Sequence, residues 1–218
     1  MKAENPLVIA VDGPAASGKG TLARALAKEL GIAYLDTGAL YRAVALLVKR
    51  GGGSFDSEAD GVAAAKLLEG GKHDSILSDP ELRTGEMGVG SSKVSALPGV
   101  RAALLDLQRQ FAKRPPGAVL DGRDIGTHVC PDAQVKLFVT AKPEIRAQRR
   151  WKELQERGEK VMLPAVLADI KSRDARDSQR ATAPLKQAED AVLLDTSDMN
   201  AEQVLDAALA IVRERRGA

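Results

Sequence analysis

Leu7-Val-Ile-Ala-Val11 is an unbroken apolar run with β-branched members, closed abruptly by Asp12-Gly13-Pro14. A strand that is apolar at every position has both faces buried, the condition of strands inside a parallel sheet. Parallel neighbours cannot be joined by tight hairpins, so helices must cross over the sheet and cover it. The first such helix follows at once between Thr21 and Leu30. Leu22, Ala25, Leu26 and Leu30 recur at helical spacing, and Gly31 stands where a helix ends in a left-handed residue. The turn between strand and helix consists of Gly13, Pro14, Ala15, Ala16, Ser17, Gly18, Lys19, Gly20 and Thr21. It matches the phosphate-binding loop pattern when Gly20 is allowed between the lysine and the hydroxyl residue. In this setting successive backbone N–H groups wrap phosphate oxygens while the helix N-terminus adds a favourable dipole. Lys19 is placed for the outer phosphates of a nucleoside triphosphate, and the Thr21 hydroxyl for a magnesium ion, directly or through water.

The alternation continues along the chain. Ile32-Ala-Tyr-Leu35 reads as a second strand, and Ala39 to Lys49 as a helix stopped by Gly51-Gly-Gly53. Ser57 with Asp60 opens a helix reaching about Glu69, and Ser78-Asp-Pro-Glu81 has capping-box spacing with proline at the first helical position. Thr84 to Ser95 carries Gly85, Gly88 and Gly90 among small polar residues, so its helical pattern is weak. Pro98 to Lys113 is helical through Val100, Leu104, Leu107 and Phe111, and Pro115-Pro-Gly117 ends it. Ala118 to Asp121, Val135 to Val139 and Ala191 to Asp195 read as strands, with Pro143 to Arg157 and Pro164 to about Asp177 as helices. Asn200 caps a last helix, with Gln203 three residues on and Met199 and Val204 spaced as a hydrophobic staple. The expected fold is α/β: a parallel sheet of about five strands covered by helices, in a single domain over residues 1–218.

Composition narrows the classes of partner. Lys plus Arg number 32 against 30 Asp plus Glu, a formal charge of +2, so no one-sided field draws a nucleic-acid polymer. Aromatics make up 3% of the chain, too few for base-stacking platforms. Cys130 is the single cysteine, which excludes an internal disulfide and a cysteine-built zinc site and fits a reducing compartment. With no signal-peptide pattern and no run of about 18 apolar residues, the expectation is a cytoplasmic monomer that does not engage membranes.

A nucleotide-binding loop leaves the choice between switch, motor and kinase. Guanine switches carry Asn-Lys-x-Asp, and the only asparagines, Asn5 and Asn200, stand in no such setting. Motors need a larger second core than this length allows. Three further segments point to phosphoryl transfer. Thr37-Gly-Ala-Leu-Tyr-Arg42 opens a helix behind the second strand, where Thr37, Gly38 and Arg42 can meet a second anion; equally, Tyr41 can serve the core and Arg42 the solvent. Asp121-Gly-Arg123-Asp124 lies at the carboxyl end of a strand, where open α/β sheets bind ligands. Arg173, Arg176 and Arg180 share one helix face at i, i+3 and i+7, with Asp177 one turn after Arg173. Such a run is commonly a solvated face of ion pairs. Beside a phosphate-binding loop it is also the fixed positive charge that a transferred phosphoryl group requires.

Together these blocks resemble the bacterial cytidylate kinases, a P-loop nucleoside monophosphate kinase family. The resemblance rests on Gly18-Lys-Gly-Thr21, Leu35-Asp-Thr-Gly-Ala-Leu-Tyr-Arg42, Val94 to Arg101, Asp121-Gly-Arg-Asp-Ile-Gly-Thr127, Pro131-Asp-Ala133, and Arg173 to Leu185. The blocks occur in family order over most of the chain. The resemblance implies a P-loop kinase fold that moves the γ-phosphoryl group of ATP to CMP or dCMP, with Mg²⁺. It also implies a monophosphate-binding insertion at about 55–97 and a helical lid at about 149–163, where Arg149, Arg150 and Arg157 stand. In that family the residues matching Ser92, Arg101 and Asp124 contact cytosine. Those matching Arg42, Arg123 and Arg180 converge on phosphate, and those matching Arg173 and Asp177 serve the sugar side. Beside long-form relatives, whose insertion carries a small sheet, the insertion is shortened and Gly-rich, and Cys130 replaces a more familiar large apolar residue. Since a phosphate monoester with a second pKa of about 6 is mostly dianionic at neutral pH, no general base is needed, and neither His73 nor His128 is assigned one. A kinase for another small acceptor, such as another nucleotide or shikimate, and a nucleotide- or RNA-binding protein without catalysis remain as competing readings.

Overall fold

The computed structural model describes residues 6–68 and 73–217; the expected helix end at Glu69 lies outside them. The elements are β1 (Leu7–Asp12), α1 (Lys19–Leu30), β2 (Ala33–Asp36), α2 (Thr37–Arg50), α3 (Glu58–Leu67), α4 (His73–Leu77), α5 (Gly85–Val94), α6 (Pro98–Ala112), β3 (Gly117–Gly122), β4 (Val135–Thr140), α7 (Pro143–Glu156), α8 (Leu163–Gln179), β5 (Val192–Asp195) and α9 (Ala201–Arg216). A 3-10 turn spans Pro80–Arg83 and a π turn Ile125–Val129. The strands form one five-stranded sheet in the order β2-β3-β1-β4-β5, the α/β architecture expected from the alternation. Two compact units divide the chain, one comprising Met1–Tyr34 with Ala112–Ala218 and the other Leu35–Phe111.

In the first unit β1 pairs in parallel with β3 on one side and β4 on the other, so that Asp12 is level with Gly122 and Phe138. Thr140 at the end of β4 is level with Asp195 at the end of β5. Ile9, Val11, Val119, Leu137 and Val139 of these strands are buried against Leu22 and Leu26 of α1 and Leu209 and Val212 of α9. Full burial of each such side chain contributes roughly 1.5–3 kcal/mol, which fixes α1 and α9, packed against each other, on one face of the sheet. At α9 the anticipated capping box is formed: Asn200 Oδ1 accepts from Gln203 N at 2.9 Å, and Gln203 Oε1 accepts from Asn200 N at 3.0 Å. Met199 packs on the cluster that contains Val204, as the staple spacing requires. α7 and α8 have a small core of their own, built from Ala147, Leu154, Val166 and Ile170, and Trp151 Nε1 donates to Val161 O at 2.9 Å between them.

Among its described residues the second unit holds helices around α2, whose Leu40, Val44, Leu46 and Val48 are buried. No strand occurs among the described residues from Thr37 to Phe111, so the small sheet of long-form relatives is not found there. Thr84 to Ser95, weak as a helix in sequence, forms α5 in full. Thr84 caps it by accepting from Met87 N, and its glycines allow a close approach: a Cβ on Gly90 would stand 2.9 Å from Ala45 Cβ and 3.0 Å from Phe55 Cζ. One cap is corrected. Asp79 rather than Ser78 accepts from Glu81 N, at 2.9 Å, because the Ser78 hydroxyl donates back to Ser75 O, and the segment makes a single 3-10 turn.

The Gly90 contact yields a prediction opposite to helix propensity. Alanine in place of glycine favours an isolated helix by about 1 kcal/mol, but overpacking costs about 1–3 kcal/mol. Gly90→Ala is therefore expected to lower Tm in a thermal melt; a raised Tm would show that α2 and α5 can separate at no cost.

Candidate active site

β1 hands the chain to the phosphate-binding loop at Gly13, where any side chain would run into the backbone carbonyl of Val139. Ala16 and Gly18 take left-handed backbone, with φ of 58° and 89°. Left-handed residues interleaved with ordinary ones turn successive N–H groups toward one side and make an anion-binding concavity. Lys19 then opens α1, two residues before the expected start, with Gly18 as its cap and no acidic residue in the first turn to compete for the dipole.

The carbonyls of this loop are tied to donors on α7. Arg146, 4% exposed, donates from Nη1 to Ala15 O at 3.2 Å and grips both carboxylate oxygens of Asp174, at 3.0 and 2.6 Å. Arg149 donates from Nη1 to Thr196 Oγ1 at 3.0 Å and Ser17 O at 3.4 Å, and from Nη2 to Thr196 O at 2.6 Å. Ala16, Ser17, Gly18, Thr21, Leu22 and Ala25, facing Arg149, Glu153, Thr196, Met199 and Asn200, line a cavity of about 340 Å³, the size of a small-molecule site. Of the three arginines in the segment expected to form a lid, Arg149 lines this cavity, Arg150 pairs with Glu153 at 3.0 Å, and Arg157 follows the end of α7.

Two aspartates that the sequence reading did not assign to the site adjoin the loop. Tyr34 donates its hydroxyl to Asp121 Oδ1 at 3.0 Å, and Asp121 Oδ2 comes within 3.4 Å of the place a Cβ on Gly20 would occupy. A carboxylate therefore stands beside the Lys19–Thr21 segment. Hydroxyl and carboxylate oxygens suit Mg²⁺, which retains waters and phosphate oxygens and needs no all-protein cage. No group of three or more acidic, His or Cys ligands occurs among the described residues. Asp12, at the end of β1, accepts from Ile125 N at 2.8 Å and Gly126 N at 2.7 Å. Burial pushes its pKa up to about 7 against the pull of those two amides; the nearby Asp124 charge adds to the rise and Lys19 opposes it.

Arg123, on the same turn as Asp124, donates Nε to Asp177 Oδ2 at 2.8 Å. Burial works against the Asp177 charge, yet Arg123 beside it, with Arg173 and Arg180, holds its carboxyl below the usual carboxylate range. The expected common face of Arg173, Arg176 and Arg180 needs correction. α8 ends at Gln179, and Arg180 has extended backbone, because the chain turns back so that Leu185 N can reach Asp177 O at 2.8 Å. Arg176 is exposed.

In the second unit Asp36 caps α2 by accepting from Ala39 N at 3.0 Å, which sets Thr37 at the first helical position with its side chain buried. Arg42 is half-buried, donates to Leu82 O at 3.0 Å and lies 3.7 Å from where a Cβ on Gly88 would stand, while Tyr41 is buried in the core. Arg101, 4% exposed, donates to Ser95 O at 3.2 Å and stacks 5.8 Å from the Tyr41 ring centroid; Ser92 is buried on α5.

Residues 9–214 match the family model for cytidylate kinase. The chain belongs to the cytidylate kinase family. The cytidylate kinase of Azorhizobium caulinodans is 59% identical over 212 residues, which span 97% of this chain and 100% of that protein. That of Xanthobacter autotrophicus is 61% identical over 211 residues, 96% of this chain and 99% of the relative. Among solved structures, an uncharacterised protein from Eubacterium ventriosum superposes with a TM-score of 0.53 at 14% identity, covering 97% of this chain and 99% of that one. A gluconokinase from Sinorhizobium meliloti gives 0.50 at 14%, covering 97% and 95%; both likenesses concern the fold. Membership in the cytidylate kinase family resolves the choice among switch, motor and kinase: the chain is an ATP-dependent nucleoside monophosphate kinase. No helix among the described residues is long and apolar enough to cross a membrane.

The raised Asp12 pKa has a signed consequence. Its carboxyl keeps its proton to higher pH in the fold than in the unfolded chain, so this stabilising contribution is full in acid and is lost as pH rises toward about 7. Asp12→Asn removes that titration. The stability of wild type relative to the variant, measured by denaturant melts, is expected to be greatest at about pH 4 or below and to fall steadily toward about pH 7; a constant difference would contradict it.

Proposed function

We propose that the chain transfers the γ-phosphoryl group of ATP to CMP or dCMP, giving ADP and CDP or dCDP, with Mg²⁺. The observation that carries this reading is the arrangement of charge in the first unit: Lys19 opening α1, and Arg123 bonded to Asp177 with Arg180 acting on the same carboxylate. A dianionic acceptor is already nucleophilic, so catalysis rests on alignment and on charge placed where it develops in the transition state. ATP lies with its phosphates on the Gly13–Thr21 loop and Lys19, and its base enters the cavity lined by Arg149 and Thr196. Thr21, directly or through water, and the neighbouring Asp121 would hold the magnesium ion, whose charge would offset that of the phosphates. Arg42, Arg123 and Arg180 bind phosphate oxygens, Thr37 adjoins the acceptor phosphate, and Arg173 and Asp177 serve its sugar.

Cytosine selection follows from hydrogen-bond polarity. Asp124 accepts from the exocyclic amine, while Arg101 donates to the ring carbonyl and Ser92 completes the base contacts. Uracil presents an acceptor where cytosine has its amine, which leaves the carboxylate facing a lone pair. Residues 55–97 form the monophosphate-binding insertion, and residues 149–163 form the lid that keeps water from the phosphoryl group. The near-balanced charge supports a protein that handles free nucleotides rather than nucleic-acid polymers, and the single cysteine fits a cytoplasmic one.

Losing one charged hydrogen bond to phosphate costs about 1.5–3 kcal/mol, about 10- to 150-fold. Lys19→Ala and Arg180→Ala are each expected to lower kcat with CMP by at least this factor while melting as folded proteins; near-normal turnover in either would remove its assigned role. Asp124→Ala is expected to reduce the preference for CMP over UMP by about tenfold or more. An unchanged ratio of kcat/KM values would refute base reading by this residue.

A further inference from the structure

We infer that Asp12 is a positioning residue for acceptor recognition, fixing through two backbone amides the loop from which Arg123 and Asp124 act. The inference rests on the acceptor reading above. The two amides that Asp12 holds open the π turn Ile125–Val129, and Asp124 occupies the cap position of that turn, with φ −147° and ψ 26°. An aspartate in a cap position ordinarily accepts from the amides that follow it. Asp124 makes no such bond; Asp12, reaching across from the neighbouring strand, makes it instead. The cap is thus supplied from outside the turn, by a residue of the neighbouring strand. The other end of the same loop is anchored by Arg123, bonded to Asp177.

The anchor is built with little slack. Asp12 is 5% exposed and level with Gly122 in the β1–β3 ladder, and a Cβ on Gly126 would come within 3.4 Å of Asp12 Oδ2. Each carboxylate oxygen serves one amide, so the grip of the ionised group, the form present above about pH 7, uses two acceptor atoms. Asparagine has nearly the same volume but one acceptor oxygen, and its NH₂ would face the second amide donor to donor.

Asp12→Asn therefore tests the assignment by steady-state kinetics. The KM for CMP is expected to rise about tenfold or more, and the CMP-over-UMP preference to fall with it, while the KM for ATP changes less. The double variant with Asp124→Ala is expected to discriminate no worse than Asp124→Ala alone, since both act through one contact. A folded Asp12→Asn protein with wild-type KM for CMP and wild-type preference would overturn the inference. Should that variant not fold, amide exchange in the wild-type protein decides: strong protection of the Ile125 and Gly126 N–H groups is expected, and exchange at open-chain rates refutes the anchor. The two levels separate cleanly. An Asp124→Ala protein with unchanged preference defeats the acceptor reading itself, whereas an Asp124 effect without an Asp12 effect defeats only this inference.

Discussion

β1 is hydrogen bonded on both sides, to β3 and to β4, so its carboxyl end cannot shift without disturbing two ladders. From that end the chain presents Asp12 and then the Gly13–Thr21 loop. The register that holds Asp12 level with Gly122 also delivers the Arg123–Gly126 turn to the same edge. Central position in a parallel sheet is thus a mechanical requirement for this arrangement: the loop amides and the Arg123–Gly126 turn take their places from one buried strand. The unbroken apolar run that demanded such a sheet is the same feature that immobilises its end.

Around this edge the first unit uses charge as a fastener. Arg146 with Asp174, and Arg123 with Asp177, are ion pairs whose arginine partners are largely buried and also bond to backbone carbonyls. Desolvation offsets much of the attraction in such pairs, so they add little net stability, but removing one partner leaves an uncompensated charge that costs about 3–5 kcal/mol. Their effect is therefore on geometry. Arg146 ties the loop carbonyl of Ala15 to both α7 and α8, and Arg123 and Asp177 join the end of β3 to the end of α8. A near-neutral total charge conceals this ordering, because the acidic partners sit beside the arginines they orient.

What could be read from the sequence was local or repeated in sequence. Leu7–Val11, the loop, and the Asn200–Gln203 cap are legible because their physics is settled within a few residues. The role of Asp12 was not, since its two amide partners lie 113 and 114 residues away and backbone groups leave no mark in sequence. Asp121 was legible only as part of a strand end facing ligands, since spacing does not show that Tyr34 and Gly20 are brought beside it. α5 was weak because helical signals come from side chains, and its packing against Ala45 and Phe55 depends on a residue that has none. Arg180 was placed on a helix face because spacing alone cannot see that the chain must leave the helix for Leu185 to bond to Asp177. The resemblance to cytidylate kinases survived these local errors because three of its blocks, Gly18–Thr21, Leu35–Arg42 and Asp121–Thr127, lie at or just after the carboxyl ends of β1, β2 and β3, where open α/β sheets bind ligands.

The central claim is that this edge of the sheet serves one reaction, ATP-dependent phosphorylation of a cytosine monophosphate. A coupled assay of ADP formation by the wild-type protein, with ATP and Mg²⁺ against a panel of CMP, dCMP, UMP, AMP, GMP and shikimate, tests it most directly. The account predicts rapid turnover with CMP and dCMP, slower turnover with UMP, and little with the remaining acceptors. Equal or faster turnover with shikimate or a purine monophosphate, or nucleotide binding without ADP formation, would contradict it.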